Sequence, residues 1–317
     1  MTNRINKTRL FSLLAFAAVV VIFLNACGKD NKVIQKEIPF TDTIKGIIVD
    51  GPWDVVVEFD SINNSVLLEY RESDKDKVSA KLLSNGYLHL KISSFGGNVN
   101  RKVFRAKVNA SWLERIELSG AAQLKTYGYY DTYSMYPFEK IDISLSGASY
   151  LTLYGFIPRG VVANITLSGA SSVYGLAVPG YAINVSLSGA SNLDLWYYGY
   201  SMDAKISGAS YMTLIDNSMV INHCAVDCSG ASTFRYFGEE GYVRGCSYKG
   251  SGASHFEARD LEMDYLDIHL SGASNAEVTV NNTITGKLTG ASLLKYRKAT
   301  DVSGVSVDNS SEMIRIR

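Results

Sequence analysis

The sequence predicts an all-β solenoid, a parallel β-helix of about nine to ten rungs. Two observations carry the prediction. One short phrase, Ser-Gly-Ala-Ser, recurs along the chain, and aliphatic residues alternate with polar ones on both sides of each copy. Repeats with a period of a few tens of residues are typical of solenoids. No segment after residue 27 has a helical hydrophobic period, which argues against helical repeats.

The repeated phrase is centred on a glycine that we interpret as a corner. Successive corner glycines are 27, 22, 20, 19, 22, 22, 20 and 18 residues apart. A decayed copy around Gly304 follows the last of them by 14 residues and closes the series. The nine corner glycines are Gly120, Gly147, Gly169, Gly189, Gly208, Gly230, Gly252, Gly272 and Gly290.

The residues beside each glycine predict strands. Ile143 and Leu145 precede Gly147, and Leu151 and Leu153 follow it, with polar residues mostly between them. A period of two is typical of a strand with one buried face. Each repeat therefore reads as strand, glycine corner, strand and second corner, and stacked coils would pair in parallel about 4.8 Å apart.

The composition of the phrase suits a stacked corner better than a reactive site. Glycine tolerates a positive φ, alanine is small enough to stack, and serine hydroxyls can bond backbone groups at a bend. A catalytic serine is a single residue with a base, and a phosphate loop needs a following helix. We therefore predict no catalytic residue in the phrase.

The first 26 residues predict a lipoprotein signal peptide. Arg4, Lys7 and Arg9 precede an apolar run, Phe11–Leu24, that is short for a membrane span. Leu24-Asn25-Ala26-Cys27 resembles the bacterial lipobox, in which the cysteine is lipidated. The alternative is an ordinary signal peptide with an incidental cysteine. Residues 27–43 would then be a tether, and the protein would be anchored to the outer membrane or cell surface, with the periplasmic face as the other option.

Charge gives no indication of a nucleic-acid partner. Removing three basic residues with the signal peptide leaves 28 basic and 31 acidic side chains, from 31 of each. This balance creates no strong positive field.

The repeated phrase, the lipobox and the segment Gly51-Pro52-Trp53-Asp54-Val55-Val56-Val57 resemble the putative auto-transporter adhesin head GIN domain family. The resemblance covers roughly residues 44–317. It implies a right-handed parallel β-helix in a Bacteroidetes envelope and says little about activity.

Along the chain, residues 44–112 lack the repeated phrase, and we expect them to form atypical capping rungs, with a separate domain as the alternative. Residues 113–302 are expected to form the regular repeats, and residues 303–317 a C-terminal cap.

Aromatic clusters are the candidate ligand-binding residues: Tyr129, Tyr130, Trp196, Tyr197 and Tyr198. Exposed Tyr and Trp can stack on sugars or anchor a protein partner. The alternative is that these rings brace the second corner against neighbouring rungs.

Cys224 and Cys246 each lie six residues before a corner glycine and are expected to be neighbours on adjacent rungs. A stacked pair of free thiols and a disulfide both remain open. Cys228 replaces a leucine and is expected to fill the core.

A polar column is expected five residues before the glycines, at Asp142, Asn164, Asn184, Asp203 and Asp267. We favour an outer face with Asn ladders over a calcium site, and predict no metal or cofactor. The expected function is a non-catalytic binding or structural surface for glycan or envelope protein. The alternative is a polysaccharide lyase or hydrolase of the pectinase-like type.

Overall fold

The computed structural model describes residues 32–59, 64–94, 103–128, 139–154, 160–215 and 220–317, and the backbone of Val21–Leu24. The described residues are almost entirely β-strand, with one 3-10 helix at Glu72–Asp74. The N-terminal strands are β1 Val21–Leu24, β2 Val33–Pro39, β3 Gly46–Asp50, β4 Asp54–Phe59, β5 Ser65–Arg71, β6 Val78–Leu82, β7 Tyr87–Ile92 and β8 Phe104–Ala110.

The solenoid strands come in pairs, one on each side of a glycine corner. Before the corners lie β9 Arg115–Ser119, β11 Lys140–Leu145, β13 Val162–Leu167, β15 Ala182–Leu187, β17 Ser201–Ile206, β19 Val220–Cys228 and β21 Gly241–Gly250. After them lie β10 Gln123–Tyr127, β12 Tyr150–Thr152, β14 Ser172–Val178, β16 Asn192–Tyr197, β18 Tyr211–Ile215 and β20 Thr233–Phe237. The C-terminal strands are β22 His255–Leu270, β23 Asn275–Leu288, β24 Leu293–Lys298, β25 Asp301–Val307 and β26 Glu312–Arg315.

The strands stack in two parallel ladders. In the first ladder, β9, β11, β13, β15, β17, β19 and β21 pair successively, and the second halves of β22 and β23 and then β25 continue it. The second ladder holds the strands that leave the corners. The predicted parallel β-solenoid is confirmed.

Nine glycine corners delimit eight complete turns, consistent with a solenoid of about eight turns and slightly fewer than the expected nine to ten rungs. The decayed copy is not a corner. Gly304 lies inside β25 opposite Thr285, and Leu288 pairs with Val307. A spacing of 14 residues is too short for a full turn of the solenoid. The last bend is instead the turn from Asp308 to Ser311, with Asn309 and Ser310 at its centre and the Ser311 amide donating to the Asp308 carbonyl.

Inward-facing residues stack into apolar columns between the ladders. Ile143, Ile165 and Val185 are in register on consecutive strands, and each is at most 3% exposed. Tyr248 stands farther along the same column, and Gly250 occupies the neighbouring leucine column. A Cβ on Gly250 would lie 2.9 Å from the Tyr248 ring, so the glycine makes room for the tyrosine.

The N-terminal strands are not laid down in chain order. β3 and β4 pair on one side with β9 and β10, and on the other with β7 and β8. Gly51, with φ of 101°, forms the corner between β3 and β4 and lies against Gly120. β5 and β6 cover the outermost layer with antiparallel pairings, and β2 adds to β5. This segment is thus continuous with the solenoid.

Cys27 lies outside the described residues. The backbone of β1 pairs antiparallel with β2. Within the described part of the chain, no helix has the length and apolar character needed to cross a bilayer.

Candidate functional site: an aromatic edge beside a lateral groove

The glycine corners form one edge of the solenoid. All nine corner glycines have φ between 69° and 85°. The amide that follows each of the last eight donates to the carbonyl of the glycine one turn below, at 2.7 to 2.8 Å. Gly and Ala are exposed along this edge, which leaves a ridge without large side chains.

The two serines of the phrase have structural partners. The second serine is buried: Ser171 donates to the carbonyl of Ser168 at 2.9 Å, and Ser274 to that of Ser271 at 2.8 Å. The first serine reaches the preceding turn, as Ser207 does to the Leu187 carbonyl at 3.1 Å. These bonds satisfy carbonyl groups at the bend.

The opposite edge, where the chain passes from the second ladder to the first, is aromatic. Tyr181 and Tyr200 are 59% and 46% exposed, and their rings stack 5.6 Å apart at an interplanar angle of 2°. Tyr200 meets His223 edge-on at 6.0 Å, and Tyr127 stacks on Tyr154 at 5.7 Å. We call the following residues the aromatic edge: Tyr127, Tyr154, Tyr181, Tyr198, Tyr200 and Phe237.

The predicted aromatic residues differ in how far they are exposed. Tyr198 is exposed and Trp196 is half-buried with its side chain outward. The prediction that Tyr197 binds a ligand is wrong, because its side chain is fully buried and its hydroxyl donates to the Ser201 carbonyl at 2.5 Å. It continues the inward alternation of Leu193 and Leu195, so it packs in the core and cannot meet a ligand. Tyr129 and Tyr130 lie outside the described residues.

A groove of about 630 Å³ runs over the outer face of the first ladder beside the aromatic edge. Ala225, Gly245 and Ser247 line it at positions where neighbouring turns carry larger side chains. Larger lining side chains belong to Asn184, Asp203, His223, Tyr265, Asp267 and Thr285. The sequence analysis missed this groove, although small residues five and seven positions before the glycines of consecutive turns were a visible signal.

The predicted polar column follows one margin of this face. Asn164 donates to Asp142 at 2.9 Å, and Asn184 donates to Asn164 at 2.9 Å, so the expected Asn ladder is present. Asp203 is separated from Asp267 by Ala225 and Ser247 on the intervening strands. Within the described ranges, no group of three or more His, Cys, Asp or Glu side chains is placed to hold a metal ion.

The cysteines lie beneath the groove. Cys224 and Cys246 are in register on adjacent strands, buried, and present as free thiols. The hydrogen bond with Cys224, together with burial, raises the pKa of the Cys246 thiol well above its ordinary value. Burial raises the pKa of Cys228, which fills the leucine column, to about 11. Cys228 and Cys246 are therefore protonated at neutral pH, and all three thiols are buried.

A Ser, a His and an Asp also meet near the N-terminal end, and their geometry differs from that of a hydrolase. His89 Nε2 lies 2.8 Å from Asp50, and Ser119 donates to the other oxygen of the same carboxylate at 2.5 Å. In a catalytic triad the serine donates to the histidine. Here both groups converge on Asp50. Burial alone would raise the pKa of Asp50, but the hydrogen bonds with Ser119 and His89 outweigh it, so this pKa is lower than its ordinary value.

Three solved structures are similar to this chain. A putative adhesin from Parabacteroides merdae is 13% identical over 90% of this chain and 96% of its own, with a TM-score of 0.50. A putative adhesin from Parabacteroides distasonis is 16% identical over 90% and 98%, with a TM-score of 0.49. A putative lipid binding protein from P. distasonis is 13% identical over 90% and 97%, with a TM-score of 0.45.

At 13% identity and a TM-score of 0.50, the Parabacteroides merdae structure shows likeness of fold alone. A search of curated proteins finds no match. The family model for the putative auto-transporter adhesin, head GIN domain, matches residues 44–299, most of the chain. The repeated corners and two parallel ladders lie within that match, and the chain therefore belongs to the head GIN domain family of putative auto-transporter adhesins.

Proposed function

We propose that this chain is a lipid-anchored adhesin of the cell envelope that holds an extended glycan along the aromatic edge and the lateral groove. Membership of an adhesin-domain family supports a non-catalytic, adhesin-like role at the envelope. The lipobox that ends at Cys27 supports the anchor.

The observation that carries the proposal is the stacked pair Tyr181 and Tyr200. The two exposed tyrosine rings are parallel and stacked, and together they offer an apolar surface that extends along the solenoid axis. Aromatic faces of this kind pack against the apolar faces of sugars, while their hydroxyl groups stay wet. Such a surface would serve a chain-like ligand better than a compact one.

The groove supplies the polar half of the site. His223 belongs to both features, because it contacts Tyr200 and lines the groove. Asn184 and Asp203 offer amide and carboxylate groups that can hydrogen-bond sugar hydroxyls, and Tyr265 adds an exposed ring. Ligand sites commonly combine apolar surface with a few polar groups in this way.

The test is a glycan array followed by calorimetry with the purified protein. The double variant Tyr181→Ala/Tyr200→Ala should lose at least about tenfold in affinity, since aromatic anchors dominate such contacts. The matched control is Tyr150→Ala/Tyr174→Ala, which removes another stacked pair, 5.1 Å apart, at the start of the second ladder. Equal affinity of both variants and the wild type would contradict the site.

Assay of the purified protein on polyuronides addresses catalysis, and fractionation of cells addresses anchoring. Oligosaccharides released from a polyuronide would favour the lyase or hydrolase alternative. Cys27→Ser should move the protein from the membrane fraction to the soluble fraction, and unchanged fractionation would contradict a lipid anchor at this residue.

A further inference from the structure

Two lysines and a histidine form a row beside the groove. Lys249, His269 and Lys287 are in register on three consecutive strands, and all three are exposed. Strand spacing places them about 4.8 Å apart along the solenoid axis. We call these three residues the cationic row.

The row departs from how charges are arranged elsewhere in the sheet. Arg235 is opposite Glu257 and bonds it at 2.5 Å, and Arg259 pairs with Glu277 at 3.6 Å. Opposite charges across strands stabilise a sheet, whereas like charges directly opposite destabilise it. In the cationic row the residue between Lys249 and Lys287 is His269 rather than a carboxylate, and a bound anion would supply the missing opposite charge.

Nearby carboxylates only partly neutralise the row. Asp227 precedes Lys249 in the same register, and Asp267 lies 3.3 Å from His269 Nε2 and accepts from Thr285 at 3.3 Å. Among the described residues, no carboxylate forms an ion pair with Lys249 or Lys287. Both ammonium groups therefore remain available to an external anion.

The cationic row borders a depression of about 430 Å³. Hydroxyl groups of Ser251, Ser271 and Thr289, from the glycine corners, also line it. Lys249 lies two residues beyond Ser247 on the same strand, and His269 two beyond Asp267, so the row shares the outer face with the groove. A ligand in the groove would meet the cationic row along one side.

We propose that the cationic row selects acidic glycans, with carboxylate or sulfate groups repeated along the polymer and held by Lys249 and Lys287. The inference rests on the proposed glycan-binding function and names its ligand class. Lys249 and Lys287 lie two strands apart, about 10 Å by strand spacing, so anionic groups along an extended chain can meet both, whereas a single small anion would use only one of them. The continuity with a groove lined by hydroxyl and amide groups favours a glycan over a nucleic acid.

The test measures binding of the purified full-length protein to polygalacturonate, chondroitin sulfate, neutral dextran and double-stranded DNA at several salt concentrations. The variant Lys249→Glu/Lys287→Glu should lose about tenfold or more in affinity for the acidic polymers, because attraction becomes repulsion. Lys249→Gln/Lys287→Gln should show a smaller loss in the same direction. Lys81→Glu, an exposed lysine on β6, is the control and should bind as the wild type does.

The outcomes separate the two proposals. Preference for acidic polymers that both double variants lose, with the melting temperature unchanged, supports the inference. Equal binding of dextran and acidic polymers by wild type and variants overturns it while leaving glycan binding intact. DNA binding as strong as glycan binding, lost in the same variants, shows a general polyanion surface and overturns it. If the protein binds none of the glycans, both proposals are overturned.

Discussion

The amide of Ala209 donates a 2.7 Å hydrogen bond to the carbonyl oxygen of Gly189 in the turn below. The two turns lie so close here that residue 208 has no room for a side chain, because a Cβ on Gly208 would lie 2.5 Å from the Gly189 oxygen. The bond and the requirement for glycine are therefore one feature, and it repeats along the whole edge.

Gly208→Val is expected to lower the free energy of unfolding by about 2 to 5 kcal/mol, the sum of a left-handed backbone penalty and overpacking. Denaturant unfolding measures it. Gly160 is the matched control, since its φ is 84° but none of the described residues lies within 4 Å of an added Cβ. Gly160→Val should cost only the backbone penalty of about 1 to 2 kcal/mol. Equal losses would contradict stacking as the cause.

Ser171→Ala is expected to destabilise the fold by about 1 to 2 kcal/mol, because the Ser168 carbonyl would lose the hydrogen bond from the buried Ser171 hydroxyl. Ser168→Ala removes only a 3.4 Å bond to Leu145 and should cost less than about 0.5 kcal/mol. Thermal melting of both variants provides the comparison. Glycan binding should be unchanged in each, and lost binding without lost stability would point to a direct role of the hydroxyl.

The buried thiols are expected to resist modification in the native state. Cys228 is 0% exposed and its pKa is about 11, so little thiolate is present at neutral pH. Ellman's reagent should react only after denaturation and then report Cys224, Cys228 and Cys246. Mass spectrometry of non-reduced peptides is the second measurement, and a linked Cys224–Cys246 peptide would show that a disulfide forms instead.

The last bend should be sensitive to acid. Hydrogen bonds, first from the amide of Gly290 and then from Ser311 and Ser310, lower the pKa of Asp308 to about 2. A carboxyl with a lowered folded-state pKa stabilises the fold above its ordinary pKa of about 4, and this stabilisation disappears as the pH falls toward 2.

The measurement is the difference in melting temperature between the wild type and Asp308→Asn, which keeps an acceptor oxygen but no charge. The difference should be largest near neutral pH and vanish near pH 2. Asp203→Asn, on the exposed face, controls for the loss of one negative charge. If the difference in melting temperature for Asp308→Asn does not vary with pH, the ionised Asp308 carboxylate does not stabilise the last bend.

Much of the solenoid could be predicted because its determinants are local and repeated. Alternation around Gly147 or Gly189 identifies the inward residues of both strands, and the period sets the pairing register. The same alternation would have placed Tyr197 in the core with Leu193 and Leu195. The error at Gly304 came from matching the phrase without requiring a full turn of chain before it.

Other features depend on residues that are distant in sequence. The groove exists because Ala225 and Ser247 are neighbours across strands, between Asp203 and Asp267. The stacking of Tyr181 on Tyr200 depends on how two bends superimpose. The position of β3 and β4 between two other layers involves pairings that skip several strands, and no local pattern in residues 44–112 encodes them.

That position has a consequence for assembly. Since β3 and β4 lie inside the stack, a deletion extending through Phe59 would excise an internal layer and separate β7 and β8 from everything beyond. Trimming from the other terminus would shorten the rod by one coil at a time. Nested truncations should accordingly give an abrupt loss of folding when they proceed from the N-terminus and a graded loss of stability when they proceed from the C-terminus. Strands β3 and β4, although early in the chain, are thus the layer to which other layers are added on both sides.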